Sequence, residues 1–214
     1  MHDNISLATR FDDACTTLPL VAILRGIKPE EAVDISLSHY EQGFRLIEIP
    51  LNSPAPFDSI GAVRQALPRD ALVGAGTVLS VENVLRLKEC GGELTVMPHA
   101  DTTVIRAAKD AGLICIPGIA TPTEAFSALG AGADALKIFP AELVTPSVLK
   151  TIRVVLPQAA RLLPVGGITP ETMKTYLDAG ATGFGLGSAL YRPGLNREQV
   201  SARARSFVSA WRGA

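Results

Sequence analysis

The sequence predicts an α/β protein folded as a (β/α)8 TIM barrel, and three observations lead to that prediction. Short apolar runs with strand composition recur about every 20 to 30 residues along the 214-residue chain, and there are eight of them. Helical stretches lie between these runs and repeatedly end in glycine, which caps a helix in the left-handed conformation. No linker or low-complexity segment interrupts the alternation. Eight such units favour a closed barrel over an open doubly wound sheet.

The predicted strands are largely apolar, as expected of parallel strands that are covered on both faces. They span residues 20–24, 46–49, 72–75, 94–97, 113–116, 135–138, 161–165 and 183–186. Pro29, Pro122 and Pro170 each stand one or two residues before a glutamate at a predicted helix start, where proline and acidic residues are favoured. Residues 1–17 are predicted to form an N-terminal helix that closes the barrel bottom, and residues 1–214 to form a single domain.

Composition narrows the function classes. The net charge is −1, from 20 basic and 21 acidic residues, so no overall field attracts nucleic acid or an anionic membrane. Three cysteines without a CxxC motif are typical of reduced thiols in a cytoplasm. No apolar run approaches the ~20 residues that span a bilayer, and residues 1–10 do not read as a signal peptide. Three scattered histidines offer no metal-ligand spacing, so no metal and no cofactor are expected.

Lys137 is the most informative residue, because its amine interrupts an apolar strand. Lysine is almost never buried without a partner or a purpose. Desolvation lowers the pKa of an amine, and a lysine that is neutral near pH 7 can form a Schiff base with a ketone. The five other lysines lie in helix-like or turn contexts. A strand-end lysine that reaches solvent is the alternative interpretation.

Two further charged residues belong to the first two strands. Glu48 alternates with Ile47 and Ile49, so it is predicted to point into the barrel, where burial raises a carboxyl pKa and suits proton transfer. Arg25 ends strand one and can bind a carboxylate through two parallel hydrogen bonds. A structural ion pair is the alternative for both residues.

The remaining strand ends supply small and hydroxyl-bearing residues. Thr77 follows a glycine-rich strand and can donate to a carboxylate, and Phe139 is predicted to wall the pocket beside Lys137. The loops after the last two strands of such barrels often bind phosphate through backbone N–H groups. The predicted phosphate-binding residues are Gly166, Gly167, Gly187 and Ser188. Ordinary turn glycine is the alternative.

Six motifs in order, between residues 18 and 192, resemble the class I aldolases that cleave 2-keto-3-deoxy-6-phospho sugar acids, the KDPG/KHG family. The motifs occupy residues 22–26, 48–54, 74–78, 135–140, 165–168 and 185–188. The resemblance implies that Lys137 forms the Schiff base and that Glu48 is the general acid–base. It implies that Arg25 and Thr77 hold the substrate carboxylate. It also implies a homotrimer without metal that acts on a small phosphorylated keto acid.

The chain departs from gluconate-specific members of that family at informative positions. They carry arginine where this chain has Asn52, so carboxylate binding falls more heavily on Arg25. They carry threonine where this chain has Val165, and the missing hydroxyl favours the galactonate epimer of the substrate. Met97 and His99 differ from the small or amide residues expected at the mouth. The gluconate epimer, and a phosphate-binding barrel transferase or isomerase, remain alternatives.

Overall fold

The computed structural model describes residues 5–213, in which helices and strands alternate. The helices are α1 (Leu7–Thr17), α2 (Pro29–Glu41), α3 (Pro56–Ala66), α4 (Val81–Glu89), α5 (Thr102–Asp110), α6 (Pro122–Gly130), α7 (Pro146–Val155), α8 (Pro170–Asp178) and α9 (Arg197–Arg212). The strands are β1 (Leu20–Ile23), β2 (Leu46–Pro50), β3 (Leu72–Gly76), β4 (Leu94–Val96), β5 (Ile114–Ile116), β6 (Gly118–Ile119), β7 (Leu136–Ile138), β8 (Leu162–Pro164) and β9 (Phe184–Leu186).

Local sequence signals account for most of these boundaries. Helices α2, α6 and α8 begin at Pro29, Pro122 and Pro170, where the sequence predicts helix starts. At α6 the Thr121 hydroxyl accepts from the Glu124 N–H, while the Glu124 carboxylate accepts from the Thr121 N–H, so two otherwise unpaired donors are satisfied. Every strand residue is buried, which explains the continuous apolar runs.

All strand pairings are parallel, but the described residues form two hydrogen-bonded sheets rather than one closed eight-stranded ring. Six strands follow the order β5-β4-β3-β2-β1-β9, and three follow β6-β7-β8. The predicted fifth strand is continued beyond Pro117 as a separate segment. Proline has no N–H for the ladder, although its carbonyl accepts from the Lys137 N–H at 2.9 Å. Among the described residues, an isolated bridge between Val165 and Gly185 connects β8 to β9, and the Asp134 N–H donates to the Cys115 carbonyl at 2.9 Å between β5 and β7.

The sheets curl around an interior cluster of apolar side chains. This cluster combines residues from both sheets with Phe11 and Ala14 of α1, so the N-terminal helix packs beneath the strands. Its members from the strands and their ends are Val21, Leu46, Leu72, Leu94, Val96, Ile114, Ile116, Ala135 and Leu163. A larger cluster fills the space between the strands and the surrounding helices. Of the predicted 1–17 helix, residues 1–4 lie outside the described residues, as does residue 214 of the predicted domain.

Charged residues at the amino ends of the strands are paired. Glu93, just before β4, accepts from Arg10 of α1 and from Arg64 of α3, the latter at 3.0 Å. Asp134, just before β7, accepts from Lys109 at 2.6 Å. These pairs connect helices to the strand starts at the lower edge of the sheets. Between residues 5 and 213, no helix combines the length and apolar character that crossing a membrane requires.

Candidate active site

The carboxyl ends of the strands surround a cavity of about 10 Å³, roughly the size that holds one water molecule. Strands from both sheets contribute to its wall. The lining residues are Val21, Ile23, Glu48, Val96, Ile116, Lys137, Leu163, Val165 and Gly185. Two ionisable side chains therefore stand among seven apolar or small ones, and both come from strand interiors.

Lys137 is the central residue of β7 and is only 5% exposed. Its Nζ lies 4.5 Å from the centroid of the Phe139 ring, which covers one side of the amine. Burial lowers the pKa of Lys137, and the Arg25 charge lowers it further, while the Glu48 carboxylate opposes the shift. An amine of this kind exists more readily in the neutral form, which can attack a carbonyl carbon.

The other lysines have ordinary surroundings. Lys109 is ion-paired with Asp134, and Lys174 with Asp178. Lys28, Lys88 and Lys150 are exposed. All six lysines of the sequence lie in the described part of the chain, and Lys137 is the one that is buried.

Glu48 lies in the middle of β2, is 1% exposed, and points into the same cavity. Its Oε2 has no hydrogen-bond partner among the described residues. Burial raises the pKa of Glu48 to about 7, against the opposing charges of Lys137 and Arg25. Gly76 on the neighbouring strand makes room for it, because a Cβ at that position would overlap the carboxylate. A carboxyl that titrates near neutrality can both give and take a proton.

Arg25 follows β1 and is exposed at the mouth. Its Nη1 donates to Oδ1 of Asn52 at 2.7 Å, and the next residue, Gly26, donates its N–H to the Ser53 hydroxyl at 2.9 Å. Two hydrogen bonds therefore attach the β1 loop to the β2 loop. After burial, which has the largest influence, the positive charge of Arg25 contributes to the pKa values of both Glu48 and Lys137 and lowers each of them.

Thr77 follows β3 and adopts a left-handed backbone conformation with φ 56°. A β-branched residue in this region is strained, and such strain persists only where the surrounding structure imposes it. Among the described residues, neither its hydroxyl nor its N–H has a hydrogen-bond partner. The strained turn therefore presents two unpaired donors at the mouth.

Val165 directly follows β8 and is 8% exposed, with its side chain directed into the cavity. Gly185 on β9 accommodates it, since a Cβ there would lie 2.6 Å from Cγ2 of Val165. The wall at this point is apolar and tightly packed.

The loops after β8 and β9 supply backbone donors. Gly166 and Gly167 have φ values of 112° and 62°, and Gly187 precedes a turn that includes Ser188. Outside the strand ladders, and within residues 5–213, the N–H groups of Gly167 and Ser188 donate to no backbone oxygen. The Ser188 hydroxyl is exposed beside them. Unpaired N–H groups in glycine-rich loops can bind an anion.

Two features of the mouth were not predicted. The Glu142 carboxylate, from the loop after β7, lies against Gly166 and Gly167, and a Cβ at Gly167 would be 3.2 Å from its Oε1. An exposed glutamate in a loop has no periodicity or motif that would mark it.

Met97 was expected to shape the mouth, but it is fully buried in the outer cluster, 3.9 Å from the Cys115 sulfur. The strand pleat turns it away from the cavity. His99 is exposed.

No three His, Cys, Asp or Glu side chains between residues 5 and 213 come together as a metal-binding group.

Comparison with known proteins agrees with this geometry. The family model of KDPG and KHG aldolase matches residues 11–204. The chain belongs to the KDPG/KHG aldolase family. It is 48% identical over 199 residues to 2-dehydro-3-deoxy-6-phosphogalactonate aldolase of Escherichia coli K12, covering 93% of this chain and 97% of that one.

Two further comparisons extend the likeness. A probable 2-dehydro-3-deoxy-6-phosphogalactonate aldolase of Rhizobium meliloti is 46% identical over 193 residues, covering 90% of this chain and 91% of that one. A solved structure described as native KDPGal superposes with a TM-score of 0.90 at 47% identity, covering 92% of this chain and 95% of that one. Family membership, as expected from the six motifs, is therefore confirmed.

Proposed function

We propose that this member of the KDPG/KHG aldolase family is a class I aldolase that cleaves 2-dehydro-3-deoxy-6-phospho-D-galactonate to pyruvate and D-glyceraldehyde 3-phosphate. The observation that carries the proposal is that Lys137 and Glu48 line the same cavity. Both are buried in one cavity, and burial moves their pKa values in opposite directions, toward neutrality. Environments that push titratable groups in this way are typical of acid–base and nucleophilic catalysis.

The reaction begins when the neutral Nζ of Lys137 attacks the C2 ketone. Loss of water gives an iminium, which draws the electrons of the C3–C4 bond as that bond breaks. Glu48, directly or through a water molecule, takes the proton of the C4 hydroxyl, and glyceraldehyde 3-phosphate leaves. The remaining enamine is protonated at C3 with the help of Glu48, and hydrolysis of the iminium releases pyruvate and restores the amine.

The two ends of the substrate are held on opposite sides of this chemistry. Arg25 and Thr77 bind the carboxylate, through the guanidinium and through the unpaired donors of the strained turn. Gly166, Gly167, Gly187 and Ser188 bind the phosphate through backbone N–H groups and a hydroxyl. Phe139 walls the site beside the amine and keeps it dry. Holding both ends orients C2 toward Lys137.

Val165 is the proposed determinant of epimer preference. Its apolar side chain offers no hydrogen bond to the C4 hydroxyl of the gluconate epimer, and a missing hydrogen bond discriminates more strongly than a missing methyl group. The names of the two relatives at 46–48% identity support the galactonate epimer. Gluconate as the main substrate is the alternative within the family.

The finer architecture is part of the proposal. The two sheets form one closed (β/α)8 barrel in a single domain, with the Val165–Gly185 bridge at one joint and Pro117 at the other. The subunits form a homotrimer, which is consistent with large apolar side chains that are exposed on and near α4, α6 and α7. These are Leu79, Val81, Leu85, Phe126, Leu143, Val148, Val154 and Val155. Three free thiols in the described chain favour a cytoplasmic location.

The competing classes fit the site less well. A sugar-phosphate isomerase would need a metal or two acid–base groups across the substrate plane, and the described cavity has a single carboxylate. A phosphate-binding transferase would need acidic residues for magnesium pyrophosphate at the ends of β3 and β4. Those positions are occupied by Thr77 and by residues 97–99.

The deciding experiment is reductive trapping. Incubation with pyruvate and borohydride should add one pyruvate-derived group per chain, located on Lys137 by peptide mass spectrometry. Absence of the adduct would contradict the class I mechanism. Cleavage of the galactonate and gluconate epimers, measured side by side, then tests the role of Val165, and a strong preference for gluconate would refute it.

A further inference from the structure

The loop after β7 brings a negative charge to the site that is proposed to hold phosphate. Glu142 is the fourth residue of that loop, and its carboxylate overlaps the position of a Cβ on Gly166 and approaches that of Gly167 to 3.2 Å. The side chain therefore lies directly against the glycine pair. This location is unusual, because a phosphate dianion and a carboxylate repel each other at short range.

The Glu142 charge has no local compensation. In the described chain, its oxygens form no ion pair and accept no hydrogen bond, even from the N–H groups of the adjacent Gly166 and Gly167. Its negative charge also acts on Tyr176 of the neighbouring α8. Burial raises the pKa of Tyr176, and the charge of Glu142 raises it further. Arg203 is the cation that contacts the loop after β9. Its guanidinium donates to the Ser188 and Ala189 carbonyls at 3.3 and 3.5 Å and forms no ion pair with Glu142.

We propose that Glu142 weakens the binding of phosphate at this site and thereby sets its affinity for phosphorylated ligands. The inference rests on the proposed function of the two loops. Substrate and aldehyde product carry the same phosphate, so any interaction with it holds both equally. A carboxylate that reduces this uniform binding raises KM and speeds product departure without touching the reacting atoms.

The sharpest test is the isosteric variant Glu142→Gln, which keeps the shape of the side chain and removes its charge. Binding of inorganic phosphate to the whole chain, measured by calorimetry, should tighten about fivefold, and KM for the phosphorylated keto acid should fall by a similar factor. Pyruvate trapping at Lys137 and cleavage of unphosphorylated 2-dehydro-3-deoxygalactonate should not change. Glu89→Gln is the matched control, since Glu89 is an exposed glutamate at the opposite end of the barrel and its variant should bind phosphate as the unmodified chain does.

Two results would overturn the inference. Unchanged or weaker phosphate binding in Glu142→Gln would show that the carboxylate does not oppose the anion. An equal change in KM for the phosphorylated and the unphosphorylated keto acid would show that the Glu142 charge acts on the whole site rather than on the phosphate. The aldolase proposal fails separately, through the absence of a pyruvate adduct in the unmodified chain, because phosphate binding is measured without turnover.

Discussion

The two ends of the strands treat charge in opposite ways. At the amino ends, Glu93 is held by Arg10 and Arg64, and Asp134 by Lys109. Higher in the strands, below the carboxyl ends, Glu48 of β2 and Lys137 of β7 are more deeply buried, yet neither forms an ion pair within the described chain. The lower edge uses its charges for stability, whereas the upper edge keeps unpaired charges that cost stability and supply reactivity. This division is typical of barrel enzymes.

The largest effect should come from Lys137→Ala. Removal of the amine leaves no nucleophile in the cavity, so cleavage should fall by about 10⁴-fold or more and pyruvate trapping should vanish. Circular dichroism should report an intact fold. Burial of the Lys137 amine costs folding free energy, so its removal does not take away a stabilising interaction. Near-normal turnover in this variant would refute the assignment.

Glu48→Gln should separate imine formation from proton transfer. The variant should still be labelled by pyruvate and borohydride, but turnover should fall by about 10²–10⁴-fold because the amide cannot accept a proton. In the unmodified chain, the rate should change with pH around 7, where Glu48 titrates. An unchanged rate would contradict the acid–base role.

The same variant tests the stability cost of the upper edge. The pKa of Glu48 is about 7 in the folded chain and 4.5 ordinarily, so the folded state binds more protons between these values and stability falls as pH rises through them. Glu48→Gln should therefore match the unmodified chain below about pH 4.5 and be more stable by up to about 3 kcal/mol at pH 8. Denaturant unfolding at both pH values measures this difference, and a gap that does not vary with pH would be inconsistent with it.

At the lower edge, the expected sign is reversed. Glu93→Gln leaves two largely buried arginines without their carboxylate, and it should destabilise the chain by about 2 kcal/mol with cleavage kinetics unchanged. Glu89→Gln, on the exposed surface, is the matched control for the change of net charge. A loss of activity without a loss of stability would break the proposed division between the two edges.

The smallest effect should come from Asn52→Ala. Without the 2.7 Å hydrogen bond to Asn52, the Arg25 guanidinium loses its orientation, and KM for the keto acid should rise about fivefold. The value of kcat should change little, since the reacting atoms are elsewhere. Asn52→Asp provides the comparison, because it keeps an acceptor for Arg25; if both variants raise KM alike, orientation by Asn52 is not the cause.

The sequence alone predicts the strands, the helix starts and the two ionisable residues of the cavity, because each leaves a local signal. Lys137 interrupts an apolar run, and Glu48 alternates with isoleucines. The interruption of the fifth strand at Pro117 and the outward orientation of Met97 depend on how neighbouring strands pair. The apolar pattern of one strand does not reveal that pairing. The strained turn of Thr77 depends on its neighbours. Glu142 is invisible for a similar reason, since its importance comes from two glycines more than 20 residues away.

The space that Gly76 leaves for the Glu48 carboxylate couples two neighbouring strands. A Cβ at position 76 would lie 1.8 Å from Oε2 of Glu48, so a larger residue there would require the buried carboxylate to move. The position of the group that is proposed to transfer the proton is therefore set in part by a residue that has no side chain of its own.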